Sequence, residues 1–294
     1  MTTQLHGVLT ALTTPFDAEE NIDLEALGRI VDRSIDGGVD GLVVGGSTAE
    51  FATMTGEERQ SMLEFVIERT AGRVRIVAQT GAPSTREAIR HSQAAQAAGA
   101  DVLMIVTPYY EPLTPAETVD YIKAVAAAVD IDVMLYNIPA ATGVNLDPDT
   151  VRQLAENVAN IRFIKDSSAN WEQALKLIHH HSDVISTFIG WDSYIYSGLV
   201  EGAAGMVAGA ANVLPSEIVS VSTKIADGDL HGARDEWQRL YPVIDAMISG
   251  PFIQAVKTGL ELRGVPVGSP RRPLADTDPD ARERIKAALA TLGS

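Results

Sequence analysis

The chain has 294 residues, no cysteine, and 39 acidic against 23 basic side chains, a formal charge of −16 with histidine neutral. With 46% hydrophobic residues it can bury a core, and at roughly 100–200 residues per domain its length allows one large domain or two small ones. The composition excludes disulfides, thiolate metal sites and a cysteine nucleophile, and an acidic chain without a basic patch excludes nucleic acid and anionic lipid as partners.

Residues 1–16 lack a basic segment followed by an apolar one, and no stretch approaches the roughly 18 apolar residues of a membrane span. A cytoplasmic protein without membrane contact is therefore expected. Along the chain, short β-branched or apolar runs alternate with segments of helical period. Strands are predicted over 7–12, 41–44, 74–79, 101–106, 132–137, 161–165, 184–189 and 205–208. Helical patterns lie between and after them, over 24–35, 56–69, 85–97, 115–129, 148–156, 171–179, 193–200 and 216–226. Pro115 and Pro148 suit first helical turns, while Gly37-Gly38 and Gly99 suit helix exits. Beyond about residue 228 strand signals stop, and 229–248, 251–263 and 280–292 read as a helical extension with 264–273 as a loop between helices.

Eight strands alternating with helices predict parallel βαβ units. The length fits a closed (β/α)8 TIM barrel of about 250 residues with a C-terminal helical extension, and the division falls into 1–228 and 229–294. The rival is an open doubly wound sheet. Its nucleotide-binding version puts a GxGxxG turn after the first strand, where this chain has Thr13-Thr14-Pro15-Phe16.

Reactive groups of such barrels sit at the C-terminal ends of strands. Lys123, Lys176, Lys224, Lys257 and Lys286 fall inside helical patterns, and Lys165 alone ends a strand. Burial there favours a neutral amine, the nucleophile for Schiff-base formation with a carbonyl; an ion pair with Asp166 is the competing structural role. Tyr136, near the end of the preceding strand, can relay protons at the same mouth or be a buried tyrosine with a satisfied hydroxyl. Gly45-Gly46-Ser47-Thr48-Ala49-Glu50 forms a small hydroxyl-bearing turn, suited to a substrate carboxylate or to nothing beyond a Gly-rich βα connection. Thr107-Pro108-Tyr109-Tyr110 brings two aromatics to the rim as lid, interface or packing residues. The run His179-His180-His181 ends a helix and reads as a solvated cap rather than a ligand set, and no GxSxG elbow exists. Neither metal nor cofactor is expected.

In order and spacing these residues resemble the dihydrodipicolinate synthase/N-acetylneuraminate lyase family of Schiff-base-forming aldolases. The resemblance runs through Ala11-Leu12-Thr13-Thr14-Pro15-Phe16, the 45–50 turn, Thr107-Pro108-Tyr109-Tyr110, Tyr136-Asn137-Ile138-Pro139 with Thr142-Gly143, Ile164-Lys165-Asp166-Ser167-Ser168 and Gly190-Trp191-Asp192. It implies a barrel with C-terminal helices assembled as a homotetramer of two dimers. It implies that Lys165 forms an imine with pyruvate or a longer 2-keto acid and that Tyr136 relays protons. By the same carry-over Ser47 and Thr48 bind the carboxylate, and Thr48 passes protons to Tyr136. Tyr110 completes a neighbouring subunit's relay, and Gly190 and Asp192 face the distal end of the substrate.

Departures from the family pattern bear on the substrate. Dihydrodipicolinate synthases carry an arginine where Ala141 stands, which points away from 4-hydroxy-tetrahydrodipicolinate synthesis. The segment 136–140 looks more like the sialic acid lyase branch, yet Asp192 is followed by Ser193 instead of a second acid, and Ala49 replaces the usual glycine. The expected substrate is a 2-keto-3-deoxy sugar acid type. Dehydration of such an acid is the alternative reaction, and a non-catalytic keto-acid sensor is the alternative class, opposed by the presence of both Lys165 and Tyr136.

Overall fold

Each strand is a short run of apolar residues whose alternate side chains find two different apolar environments, the pattern of a parallel sheet covered on both faces. The computed structural model describes residues 5–293; positions 1–4 and 294, where the expected barrel and tail ranges begin and end, lie outside it. The strands are β1 (Gly7–Ala11), β2 (Gly41–Val44), β3 (Arg75–Gln79), β4 (Val102–Val106), β5 (Asp132–Asn137), β6 (Ile161–Asp166), β7 (Ser186–Ile189) and β8 (Gly205–Ala208). All pair in parallel and in chain order, and β8 closes on β1 from Gly7↔Gly205 to Thr10↔Ala208. The open-sheet rival is excluded. At that seam a Cβ on Gly205 would stand 2.7 Å from the Gly7 amide nitrogen, so glycine permits the close approach.

Leu9, Val43, Val77, Met104, Met134, Phe163, Phe188 and Val207 fill the barrel interior. Their strand neighbours, such as Val8, Leu42, Ile76, Leu103 and Ile164, pack outward with the helices. The helices are α1 (Leu24–Asp36), α2 (Gly56–Thr70), α3 (Thr85–Ala98), α4 (Pro115–Ala126), α5 (Pro139–Thr142), α6 (Pro148–Asn157), α7 (Trp171–His180), α8 (Ile195–Val200), α9 (Pro215–Ala226), α10 (Leu230–Ile248), α11 (Phe252–Leu262) and α12 (Pro279–Ala290). Their starts follow from side-chain caps. Thr55 and Thr114 form capping boxes with Glu58 and Glu117, and Asp23, Ser84, Asp147 and Asn170 cap other first turns. Gly99, at φ 101, ends α3.

Differences from the sequence reading have local causes. β4 starts after Asp101 because that carboxylate accepts from the Ile76 amide (2.8 Å) and Arg75 (2.6 Å) at the base of the barrel. α4 stops at Ala126 rather than 129, where the Asn160 side chain donates to the carbonyls of Ala126 (3.0 Å) and Val129 (3.3 Å). The stretch 193–200 begins as a 3₁₀ turn, Asp192–Tyr194, before α8. The four-residue α5 is too short to leave a periodic signal.

The last three helices pack on the barrel. α10 buries Trp237, Leu240, Val243, Ile244 and Met247. α11 reaches the mouth: a Cβ on Gly209 would meet the Phe252 ring and come within 3.4 Å of the Thr48 hydroxyl. Among the described residues no helix is long and apolar enough to cross a membrane.

Candidate active site

Tyr136 and Lys165 are register partners on β5 and β6, so both project from neighbouring strands into the barrel mouth. They are 2% and 5% exposed, and the Lys165 Nζ lies 4.0 Å from the centre of the Tyr136 ring, close enough for the ring to face the ammonium. Strand alternation sends Asp166 the other way. Its carboxylate accepts from Asn137 Nδ2 (2.9 Å), Gln173 Nε2 (3.2 Å) and Ser168 Oγ (2.9 Å). Burial raises the Asp166 pKa, and these hydrogen bonds only partly oppose it. Asp166 therefore serves an amide cluster and not Lys165, contrary to the ion-pair alternative. The same cluster holds the chain after β5, since Asn137 also donates to Asn145 (3.0 Å) and accepts from the Leu146 amide (2.9 Å).

The turn after β2 opens at Gly45, with φ 71, and runs into a single 3₁₀ turn, Ser47–Ala49. Ser47 Oγ lies 3.2 Å from the Tyr136 hydroxyl. The family carry-over gives that contact to Thr48; in the structure the hydroxyl that reaches Tyr136 is Ser47's, with Thr48 buried beside it. Gly190 follows β7, where a Cβ would come within 2.8 Å of Lys165 Cε. The space a side chain would take is filled by Ser167 Oγ and Lys165 together.

Asp192, 7% exposed, lies in the next turn. Burial pushes its pKa up to about 7, against the Ala210 amide at 3.5 Å, the Lys165 charge and the Gly209 amide, all of which favour the carboxylate. Tyr110 does not join this cluster. It is 83% exposed, whereas Tyr109 packs edge-on against Phe51 with ring centres 5.4 Å apart. Ala141 is exposed on α5.

Among the described residues no group of three or more histidines and acids could hold a metal ion. The histidine run is not uniformly solvated: His179 meets Glu201 at 3.0 Å, and His181 is buried with Nδ1 3.4 Å from Arg152. Lys257 lies in a helix, as its pattern predicts, but not on a solvent face. It is buried, 2.9 Å from the Glu50 carboxylate. A signal existed, because Lys257 falls on the stripe of Ile253, Val256 and Leu260 and so on the apolar side of α11.

A closed barrel with a buried lysine and tyrosine on adjacent strand ends defines a (β/α)8 lyase of the class I type. Residues 4–292 match the dihydrodipicolinate synthetase family, and the chain belongs to that family. It is 35% identical over 283 residues to a 4-hydroxy-tetrahydrodipicolinate synthase of Oceanobacillus iheyensis, covering 96% of each chain. It is 37% identical over 290 residues to an uncharacterized DapA-like lyase of Halobacterium salinarum, covering 98% of this chain and 94% of that one. A prophage protein of the dihydrodipicolinic acid synthase family from E. coli K12, solved in complex with pyruvate, superposes with a TM-score of 0.93 at 31% identity and 98% coverage of each chain. A dihydrodipicolinate synthase from Aquifex aeolicus gives 0.94 at 32% identity, again over 98% of each chain.

Proposed function

We propose that Lys165 attacks the 2-keto carbon of pyruvate or a longer 2-keto acid and forms an imine with loss of water; in a longer 4-hydroxy acid the protonated imine then accepts the electron pair as the C3–C4 bond breaks and the C4 hydroxyl, giving up its proton, becomes the aldehyde carbonyl. The reverse direction adds the resulting enamine to an aldehyde. Tyr136 moves the protons of imine formation and release, with Ser47 as the next hydroxyl in its relay. The observation that carries this reading is the pairing of Lys165 with Tyr136 across β5 and β6 and the 3.2 Å contact from Tyr136 to Ser47. Ser47, Thr48 and the turn amides take the substrate carboxylate. Gly190 leaves room at the lysine, and Asp192 faces the distal hydroxyl or carbonyl end.

The relatives named 4-hydroxy-tetrahydrodipicolinate synthase favour pyruvate with a carboxylated aldehyde as a second reading. Against it, exposed Ala141 supplies no cation for a second carboxylate. Asp192, buried with its pKa raised to about 7, can donate or accept a hydrogen bond near neutral pH and so suits a hydroxylated partner, which makes a 2-keto-3-deoxy sugar acid the preferred substrate class. The same imine can instead expel a hydroxyl, and product analysis separates the two: pyruvate plus an aldehyde for cleavage, an intact carbon skeleton for dehydration.

Tyr110, out of its own site and 83% exposed, fits a role in a neighbouring subunit of a dimer-of-dimers tetramer. We take 1–228 as the catalytic barrel and 229–294 as a helical region packed on it. Borohydride reduction with pyruvate, followed by peptide mass mapping, tests the core of the proposal. An adduct on Lys165 is expected. Its absence with pyruvate and with a panel of 2-keto acids, or its placement on another lysine, refutes the mechanism.

A further inference from the structure

Glu50 and Lys257 form the most enclosed ion pair among the described residues. Their side chains are 0% and 4% exposed and 2.9 Å apart. Glu50 ends the turn that carries Ser47 and Thr48, and its amide donates to the Ser47 carbonyl at 3.0 Å. Glu50 holds φ at 61, the left-handed region that a residue with a Cβ enters only when something fixes it there. The fixing groups come from the far end of the chain. Lys257 of α11 meets one carboxylate oxygen, and the Arg271 amide donates to the other at 2.8 Å. Lys257 in turn donates to the Ser269 carbonyl at 3.1 Å, and both Lys257 and Arg271 sit 4.5 Å over the Phe16 ring. Burial lowers the Lys257 pKa in spite of the adjacent carboxylate, so the pair is held where water would otherwise have solvated it.

We propose that Glu50 and Lys257 are a positioning pair: anchored to the helical C-terminal region, Glu50 sets the turn that aims the Ser47 and Thr48 hydroxyls at the keto-acid carboxylate. This rests on the assignment of those two hydroxyls to the carboxylate. The C-terminal region then completes the substrate site without touching substrate, and the residues that contact the carboxylate are oriented from more than two hundred positions away in sequence.

The test compares wild type with Glu50→Gln, Lys257→Met and the double variant, using pyruvate as probe and borohydride trapping on Lys165 as readout. Each single substitution is expected to raise the half-saturating pyruvate concentration about tenfold or more, with trapping at saturation within about threefold of wild type, the split that marks lost ground-state binding. Glu50→Gln keeps the shape, but its amide oxygen can accept from only one of the two anchoring donors, so it carries the test should Lys257→Met not fold. The double variant leaves no unpaired buried charge and is expected to regain thermal stability over Lys257→Met, yet to keep the raised half-saturation. If folded single variants saturate like wild type, or if the double variant regains stability and half-saturation together, the pair is only structural and the proposal fails. If wild type itself shows no Lys165 adduct, the imine reading fails and takes this inference with it.

Discussion

Tyr136 offers the proposed chemistry one hydroxyl, and its ring separately packs against Lys165 at 4.0 Å. Tyr136→Phe keeps the ring and removes the relay, so kcat is expected to fall by about 10²–10⁴, the range of general acid–base contributions, with the fold intact by circular dichroism. A loss below tenfold would assign the relay elsewhere. Asp192 gives a pH prediction with a definite sign. Its pKa rises from 3.8 to about 7 on burial, so the folded chain holds that proton more tightly than the unfolded one. Stability therefore drops as pH rises from about 4 to about 7, by up to about 4 kcal/mol for a three-unit shift. Asp192→Asn removes the penalty. Urea unfolding should show the variant near wild type at pH 4 and more stable than it at pH 8; an equal difference at both pH values would contradict the argument.

Among the elements, the strands were legible because a strand buried on both faces is a short run of Val, Ile, Leu and Met between turns, and that composition needs no tertiary information. Helix starts were legible where a cap or an N1 proline stands in the sequence, as at Thr114-Pro115 and Asp147-Pro148. Ends were less so, because long-range side chains decide them, as Asn160 does for α4. Thr55→Ala removes one half of the α2 capping box and should cost about 1 kcal/mol, measured by urea unfolding. Gly190→Ala drives a methyl into Ser167 Oγ and within 2.8 Å of Lys165 Cε, so the serine hydroxyl and the lysine must both shift. Lys165 trapping is then expected to fall at least about tenfold, in line with the steep cost of misplacing a reacting group, and wild-type trapping would show that the side chain has room to spare.

For the whole molecule, net charge and site chemistry pull in opposite directions. A chain of formal charge −16 repels an anionic keto acid at long range, and under the proposed function the attraction comes from donors at the mouth, chiefly the amides and hydroxyls of the 45–50 turn. Tyr110 is exposed, and the proposed dimer gives it a role in the neighbouring subunit. Under the dimer proposal, Tyr110→Phe and Lys165→Ala subunits are each expected to lie at least about tenfold below wild type, as loss of an acid–base or nucleophilic group implies. Refolded as a mixture, they should regain activity, because a Lys165→Ala subunit still lends Tyr110 to its neighbour's intact lysine. Mixed oligomers without regained activity would place Tyr110 outside the relay.

The eight-stranded alternation, the closed barrel it implies, the helical tail and the strand-end position of Lys165 and Tyr136 can be read from the amino-acid order alone. Those features rest on local composition and period, which the chain carries wherever it folds. Folding in three dimensions is what places Asp166 in an amide cluster, brings Ser47 and not Thr48 to Tyr136, and buries Lys257 against Glu50. Each of those is a choice among several polar groups within reach, and barrel closure and the docking of α11 make it by fixing which groups face each other in a space without water. Periodicity assigns a side chain to a face; which partner waits on that face is set by parts of the chain far away in sequence.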